Sequence, residues 1–235
     1  MSNRVGGVRA EVCLKGMFHM GEARLKLKTL TPPVPIIDVI CVTYNQDGPI
    51  QVLVQCFLNQ TAPNWKLHVI HDGPNPAFIE IMNKYVNAQE QRISFVCTEN
   101  RFNDYGHSLR AQGLKSVTGD YVLITNGDNY YVPRLIDFLT QAIIQTNADV
   151  VMFDMVHSHN CPGGRQQPPY GFFKTEYRRG DIDMGAAVVR SDLARAADFC
   201  DKSFAGDATY FEDVAKIKGD RTTIAKINQV LFVHN

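Results

Sequence analysis

The stretch Tyr121-Val122-Leu123-Ile124-Thr125 runs directly into Asn126-Gly127-Asp128-Asn129. An apolar run of this length predicts a buried strand, and the polar tetrapeptide predicts a loop at its carboxyl end. Open α/β sheets bind their ligands at that edge, where one carboxylate and two amides would make a site for a metal ion and a phosphate. A turn-forming cluster without a ligand is the alternative interpretation.

The sequence on both sides of this stretch alternates between strand-like and helix-like patterns. Strands are predicted at 36–43, 66–71, 92–97, 121–125 and 149–155, and helices near 49–57, 76–87, 105–117 and 133–145. Beyond them, short strands are predicted at 172–174 and 186–190, helices at 192–199 and 210–217, and one or two closing strands within 222–233. The alternation predicts a single α/β domain with a mostly parallel central sheet and helices on both faces.

The composition is that of an ordinary globular protein. With 235 residues, 45% hydrophobic and 20% charged, the chain can bury a core as one domain. Its formal net charge of +0, from 24 basic and 24 acidic residues, argues against a nucleic-acid partner. No apolar run reaches the roughly 18 residues that a transmembrane segment needs. Six cysteines without a CxxC pair favour reduced thiols, so we expect a cytoplasmic protein.

Residues 1–34 are expected to form a basic N-terminal extension ahead of the domain at 35–235. The first 30 residues hold six basic side chains against two acidic ones, and Thr31-Pro32-Pro33-Val34-Pro35 follows them. These prolines can neither continue a helix nor pair inside a sheet, so they mark a boundary. A peripheral extension is the favoured interpretation. A mobile arm, an added element packed on the domain and a basic surface for anionic membranes are the alternatives.

Polar loops follow four of the predicted strands. They are Thr43-Tyr44-Asn45, His71-Asp72-Gly73, residues 100–107 and Asn126–Asn129. A parallel sheet would bring all four to one edge, where Tyr44 offers a flat face for a nucleobase and Asp72 an acceptor for a base N–H. Asp128 offers a hard oxygen ligand to a divalent cation that can also hold a diphosphate. Together the loops predict a nucleotide site.

Five short motifs occur in an order and at separations that match one enzyme family. They are Val42–Asn45, Trp65–Gly73, Arg110–Leu114, Thr118–Val122 and Asn126–Asn129. Over about residues 36–135 the chain resembles the family 2 glycosyltransferases, whose fold is the Rossmann-like GT-A type, and the remainder resembles them loosely. The resemblance implies a nucleotide-sugar-binding half at 35–130 and an acceptor-binding half at 131–235. It also implies a nucleotide-diphosphate sugar donor, with UDP expected, and a Mn²⁺ or Mg²⁺ ion. The reaction it implies is inverting transfer to a hydroxyl of a glycan or a small-molecule acceptor.

Carried over to this chain, the resemblance implies roles for the polar loops. Thr43 and Tyr44, with Asn45 in the same loop, would line the base pocket. Asp72 would receive the base, and Arg110 would approach the diphosphate or the base. Asn126 and Gly127 would contact the donor. The family has an Asp-x-Asp motif where this chain has Asn126-Gly127-Asp128, so Asp128 alone is anionic there and the metal affinity should be lower.

The second half must supply the general base and any further metal ligand. Glu212-Asp213 resembles the family's Glu-Asp motif, which makes Asp213 the expected base, with Glu212 next and Asp207 as an outside candidate. A favourable charge near a helix start is the structural alternative for Glu212 and Asp213. Because several GT-A enzymes bring a late histidine to the metal, His234 is expected to join Asp128 as a ligand. A surface histidine at a frayed terminus is the alternative.

The segment 157–169 is predicted to be a long loop because it is rich in proline, glycine, asparagine and glutamine. It contains His157, His159 and Cys161 but no fourth ligand at a suitable spacing, so an acceptor-binding or plain surface loop is favoured over a metal cluster. Two other functions remain open for the whole chain. One is sugar-1-phosphate nucleotidylyl transfer, which the lack of a cation in residues 44–49 disfavours; the other is a non-catalytic nucleotide-sugar-binding module.

Overall fold

The computed structural model describes residues 33–86 and 90–235. The expected basic extension at 1–34 therefore lies outside the described residues, apart from Pro33 and Val34. Within the described ranges, no helix combines the length and the apolar character needed to cross a lipid bilayer.

Strands and helices alternate through the first two thirds of the fold. They are β1 (Ile37–Thr43), α1 (Pro49–Leu58), β2 (Trp65–His71), α2 (Pro76–Asn83), β3 (Ile93–Cys97), α3 (His107–Ser116), β4 (Tyr121–Asn126), β5 (Tyr130–Tyr131), α4 (Leu135–Thr146) and β6 (Val150–His157). Proline at the first position of α1 and of α2 begins both helices, because its fixed φ suits the first turn. The elements predicted in this part of the chain are present, with ends that match or differ by at most four residues.

The last third combines short elements with the longest helix and the longest strand of the described residues. They are β7 (Gly171–Phe173), β8 (Ala187–Arg190), α5 (Ser191–Ala197), α6 (Gly206–Lys218) and β9 (Ile224–His234), with 3₁₀ turns at Pro162–Gly164, Met184–Ala186 and Gly219–Arg221. One detail differs from the sequence-based expectation: helix α6 begins at Gly206 rather than at Tyr210. The region 222–233 forms one strand, which is one of the two expected possibilities.

The strands form one mixed sheet in the order β3-β2-β1-β4-β8-β6-β9-β5, with β7 paired to β6. The pairs β3–β2, β2–β1 and β1–β4 are parallel, whereas β8 runs antiparallel to both of its neighbours. The α/β class is thus confirmed. Among the described residues three of the four parallel pairings lie in the first half of the domain, and the fourth is β6–β9. Parallel pairing also sets the site, because it places Thr43 opposite His71 and Val42 opposite Asn126 at one edge.

Helices cover both faces of the sheet and make two apolar layers. Strand β1 is buried along its whole length, and its alternate residues enter opposite layers. Val39 and Cys41 pack with α1, α2 and α4, whereas Ile40 and Val42 pack with α3, α5 and α6. A strand buried on both faces reads as a continuous apolar run, which is why its sequence signal is strong.

Candidate functional site

A cavity of about 390 Å³ opens at the carboxyl ends of β1, β2 and β4, and we call it the strand-end cavity. Five of the site residues predicted from the sequence line this cavity: Thr43, Tyr44, Asp72, Asn126 and Asp128. Two other predicted residues belong to the same loops but are not among its lining residues. Asn45 adopts a left-handed φ of 52° beside Tyr44, and Gly127 packs against Thr43.

Asp72 shapes the wall of this cavity. Its two carboxylate oxygens accept hydrogen bonds from the backbone N–H groups of Phe102 (2.8 Å) and Asn103 (3.1 Å). The next residue back, Arg101, lies with its guanidinium carbon 3.6 Å from the centre of the Tyr44 ring and donates to the Tyr44 hydroxyl at 3.0 Å. Arg101 was missed from the sequence, where only its place in the loop after β3 could have suggested it.

Asp128, which follows β4, is the second acidic residue that lines the strand-end cavity, along with Asp72. Its Oδ2 accepts a hydrogen bond of 2.6 Å from Gln46 Nε2, and Gln46 Oε1 accepts one of 3.1 Å from Thr43. The other oxygen of Asp128, Oδ1, is buried and has no hydrogen-bond partner. Burial raises the pKa of Asp128, against the opposing effects of the nearby His234 and of the Gln46 hydrogen bond. A buried carboxylate oxygen without a donor suits a cation, and Gln46 was not foreseen from the sequence.

Gly127 and Asn129 support Asp128 rather than line the cavity. A Cβ atom on Gly127 would lie 2.6 Å from Thr43 Oγ1 and 2.9 Å from Gln46 Oε1, so only glycine lets the loop pass so close to these side chains. Asn129 is buried and donates to Thr125 Oγ1 at 3.1 Å. The second amide of the tetrapeptide therefore fixes the loop.

Arg110 links the tetrapeptide to the second half of the domain. It is buried on α3, and its Nη2 donates to Asn126 Oδ1 at 2.8 Å. Its Nη1 lies 3.0 Å from Asp207 Oδ1 and 2.9 Å from His107 Nδ1. The guanidinium thus holds the first residue of the tetrapeptide on one side and the first turn of α6 on the other.

A second cavity of about 530 Å³ shares Tyr105 and Asn126 with the first, and we call it the histidine cavity. Its lining includes Arg110, His157, His159, Asp183, Asp207 and His234. Burial and the charge of Asp207 raise the pKa of Asp183 to about 6. The Nε2 atom of His234 lies 3.5 Å from Asp183 Oδ2, and its Nδ1 is buried with no partner.

The two acids that the sequence favoured as the base lie elsewhere. Glu212 accepts two hydrogen bonds of 2.8 Å from Arg179, and Asp213 accepts one of 2.8 Å from Lys216. Neither is among the lining residues of the two cavities. Because α6 begins at Gly206, the acidic residue in its first turn is Asp207. Glu212 and Asp213 lie five and six residues later, so they point to other sides of the helix. The expectation of Asp213 as the base came from the resemblance of Glu212-Asp213 to the family's Glu-Asp motif.

Comparison with known families and proteins gives an independent result. A sequence model of the family described as glycosyl transferase family 2 matches residues 38–196. The chain is 25% identical over 118 residues to the uncharacterized glycosyltransferase EpsJ of Bacillus subtilis, a match covering 50% of this chain and 33% of EpsJ. It is 25% identical over 115 residues to the cholesterol galactosyltransferase of Borreliella burgdorferi, covering 49% of this chain and 31% of that protein. These matches span about a third of each relative.

Solved structures share the fold at lower sequence identity. TarS of S. aureus, residues 1–349, has a TM-score of 0.69 and 18% identity, with 85% of this chain and 60% of that chain covered. The mannosyltransferase PcManGT of Pyrobaculum calidifontis, solved with GDP-Man and Mn²⁺, has a TM-score of 0.61 and 15% identity, with 85% and 56% covered. The similarity extends over most of the present domain.

Proposed function

Because this chain belongs to glycosyl transferase family 2, we propose that it transfers a sugar from a nucleotide-diphosphate sugar to a hydroxyl group of an acceptor. The observation that carries the proposal is the buried, unpartnered Oδ1 of Asp128 in a cavity that also presents the Tyr44 ring. Such a site offers a cation ligand and a stacking surface side by side, which a nucleoside diphosphate needs. UDP is the nucleotide we propose, since TarS has been solved with UDP and with UDP-GlcNAc.

The residues present fit a divalent metal ion. Asp128 would hold it through Oδ1, with the amide of Asn126 and the imidazole of His234 as neighbouring donors. A bound Mn²⁺ or Mg²⁺ would neutralise the charge that develops on a departing diphosphate. Gln46 would orient the carboxylate by its 2.6 Å hydrogen bond, and Arg110 would add a fixed positive charge to the same region.

Inverting transfer needs a carboxylate that takes the proton of the acceptor hydroxyl as it attacks the anomeric carbon. We propose Asp207 for this role in place of Asp213 or Glu212. Its Oδ1 is fixed by Arg110 at 3.0 Å, and its side chain is 38% exposed toward the histidine cavity. Asp183 is the second candidate, because its raised pKa of about 6 is that of a stronger base than an ordinary aspartate.

A donor-hydrolysis assay tests this function. The protein is incubated with UDP-sugars and Mn²⁺, and released UDP is measured with and without a chelator. We expect slow, chelator-sensitive release from the parent and none above background from Asp128→Ala. A non-catalytic binding module would bind UDP without releasing it from the sugar, and a nucleotidylyltransferase would instead form pyrophosphate from UTP and a sugar 1-phosphate. Equal hydrolysis by the parent and by Asp128→Ala would refute the metal assignment.

A further inference from the structure

Three histidines from two segments that are far apart in sequence meet at one wall of the histidine cavity. His157 ends β6, His159 follows it two residues later, and His234 ends β9. Strands β6 and β9 are parallel, and their register places His157 opposite His234. One ligand nitrogen from each of the three imidazoles lies within 4.8 Å of the others. His234, at the end of β9, therefore supplies the further ligand that the loop after β6 does not itself contain.

We propose that His157, His159 and His234 bind a divalent transition-metal ion of the Zn²⁺ or Co²⁺ class without help from the nucleotide. Neutral imidazole nitrogens are preferred ligands of these ions. Zinc–nitrogen bonds of about 2.0–2.1 Å place nitrogens about 3.4 Å apart around a tetrahedral ion. The rings of His157 and His234 are stacked, with centroids 4.2 Å apart and planes 16° apart, so their nitrogen lone pairs run nearly parallel. Closing the cluster therefore requires rotation of one of these two rings as well as side-chain shifts of about 1 Å. His159 is exposed on its loop and can make such a shift.

The hydrogen bonds around the cluster leave nitrogens available for an ion. His157 Nδ1 accepts from the backbone N–H of His159 at 3.1 Å, which leaves Nε2 of His157 for the metal. His234 has its Nδ1 buried without a partner, while its Nε2 lies 3.5 Å from Asp183 Oδ2. A carboxylate beside the second nitrogen of a ligating histidine fixes the ring and strengthens it as a ligand. Asp183 fits that orienting position.

The ion would join the loop after β6 to the end of β9. Both segments form the wall of the histidine cavity that also holds Asp183 and Asp207. Binding should therefore stabilise this wall even when the strand-end cavity is empty. His234 is common to this site and to the donor ion proposed at Asp128, so a test must use ligands that the two sites do not share. His159 and Asp128 meet that condition.

The test is a titration of the metal-stripped full chain with Co²⁺ in the absence of nucleotide. Visible absorption reports histidine ligation, and calorimetry with Zn²⁺ gives the affinity. We expect a Co²⁺ absorption band in the parent and in Asp128→Asn. In His159→Ala the Zn²⁺ affinity should fall by about tenfold or more. The matched control is His68→Ala. His68 on β2 forms a hydrogen bond with Ser94 on β3, and it lines neither cavity.

The outcomes separate this site from the donor site. Retained binding in Asp128→Asn and His68→Ala with loss in His159→Ala supports the three-histidine site, whatever the donor assay shows. Zn²⁺ affinity in His159→Ala within twofold of the parent overturns it, and so does loss of the Co²⁺ band in Asp128→Asn. His157→Ala provides a second variant, and circular dichroism of each metal-free variant confirms that it is folded. A rise in melting temperature with Zn²⁺ should be present in the parent and absent in both histidine variants.

Discussion

Arg110 Nη2 donates a 2.8 Å hydrogen bond to the side-chain oxygen of Asn126, where an Asp-x-Asp motif would have its first carboxylate. The amide does not neutralise the guanidinium, whose partner of opposite charge is Asp207 at 3.0 Å. Asn126 thus adds no second negative charge beside the Arg110–Asp207 pair, which leaves this edge of the strand-end cavity less repulsive to an anionic ligand such as a diphosphate. Without this carboxylate there is less negative charge to hold a metal ion, but there is also no added negative charge to repel the phosphates.

Replacing Asn126 by the aspartate of the family motif tests both effects. In Asn126→Asp, a second carboxylate near Asp128 should tighten Mn²⁺ binding in the presence of UDP by roughly threefold to tenfold, because affinity follows the charge of the ligands. The same charge would pair with Arg110 and should weaken UDP binding without metal. Calorimetric titrations of Mn²⁺ and of UDP measure both effects. Asn103→Asp adds a charge to the same cavity from the loop after β3 and is the control. Unchanged or weaker Mn²⁺ binding in Asn126→Asp would contradict the prediction.

Gln46 should matter through Asp128. Removing its side chain in Gln46→Ala deletes the 2.6 Å bond that orients the carboxylate, and we expect a loss of about tenfold or more in Mn²⁺ affinity of the UDP complex. UDP-dependent Mn²⁺ titration measures this. Gln55→Ala removes an exposed glutamine from α1, the helix that follows the loop of Gln46, and should leave the affinity unchanged. An equal response of the two variants would show that Asp128 does not depend on Gln46.

Gly127 should tolerate no larger side chain. In Gly127→Ala the new Cβ would press on Thr43 Oγ1 and Gln46 Oε1, so the free energy of unfolding should fall by about 1–3 kcal/mol. Urea unfolding measures the change. Gly48→Ala is the matched control, since no atom lies within 4 Å of its added Cβ. A change in the control as large as that of Gly127→Ala would attribute the loss to glycine replacement in general.

The sequence predicted most of the fold because the buried strands carry unbroken apolar runs. Strand β1, buried on both faces, is the clearest case, and the loops after β1, β2 and β4 could be placed at one edge before any coordinates. The antiparallel insertion of β8 between β4 and β6 could not be foreseen in this way. A strand of four residues has the same pattern in either direction, and its direction depends on the connections around it.

Site residues could be predicted where they follow a strand. They were harder to predict where their position depends on where a helix begins. Asp128 and Tyr44 come from strand ends, and both line the strand-end cavity. The N-cap of α6, Ala205, has no side chain that could cap the helix, so the sequence offered no start signal ahead of Asp207. The resemblance to the Glu-Asp motif therefore placed Asp213 first. Gln46 and Arg101 act through contacts with residues distant in sequence, which no local pattern reveals.

Asp149 should link stability to pH. It is buried and accepts hydrogen bonds from Lys218 (2.7 Å) and from the backbone of Thr223 (3.0 Å). Burial alone would raise its pKa, but these bonds outweigh it and hold the pKa below the ordinary value of 3.8. The carboxylate therefore stabilises the fold at neutral pH, and that contribution is lost as the pH falls below about 4. Asp149→Asn should cost about 2 kcal/mol at neutral pH.

Urea unfolding at several pH values between about 7 and about 3 checks the link. Stability of the parent should decline more steeply at the acid end than stability of Asp149→Asn, because the variant has no proton to bind at this position. Parallel declines would show that the Asp149 carboxylate titrates alike in the folded and unfolded states. The control is Asp220→Asn, since Asp220 lies in an exposed 3₁₀ turn and should leave the slope unchanged.

Asp207 and Asp213 lie on the same helix and make a matched pair for the general base. Asp207 faces the histidine cavity beside Arg110, whereas Asp213 is paired with Lys216 outside the lining of either cavity. Asp207→Asn keeps the shape and a hydrogen-bond acceptor for Arg110 but cannot take a proton. Transfer should therefore fall by about 10²-fold or more, while UDP binding changes little. Asp213→Asn should retain transfer, and the reverse result would return the base to the Glu-Asp pair. If Asp183→Asn alone abolished transfer with UDP binding intact, the base would be Asp183.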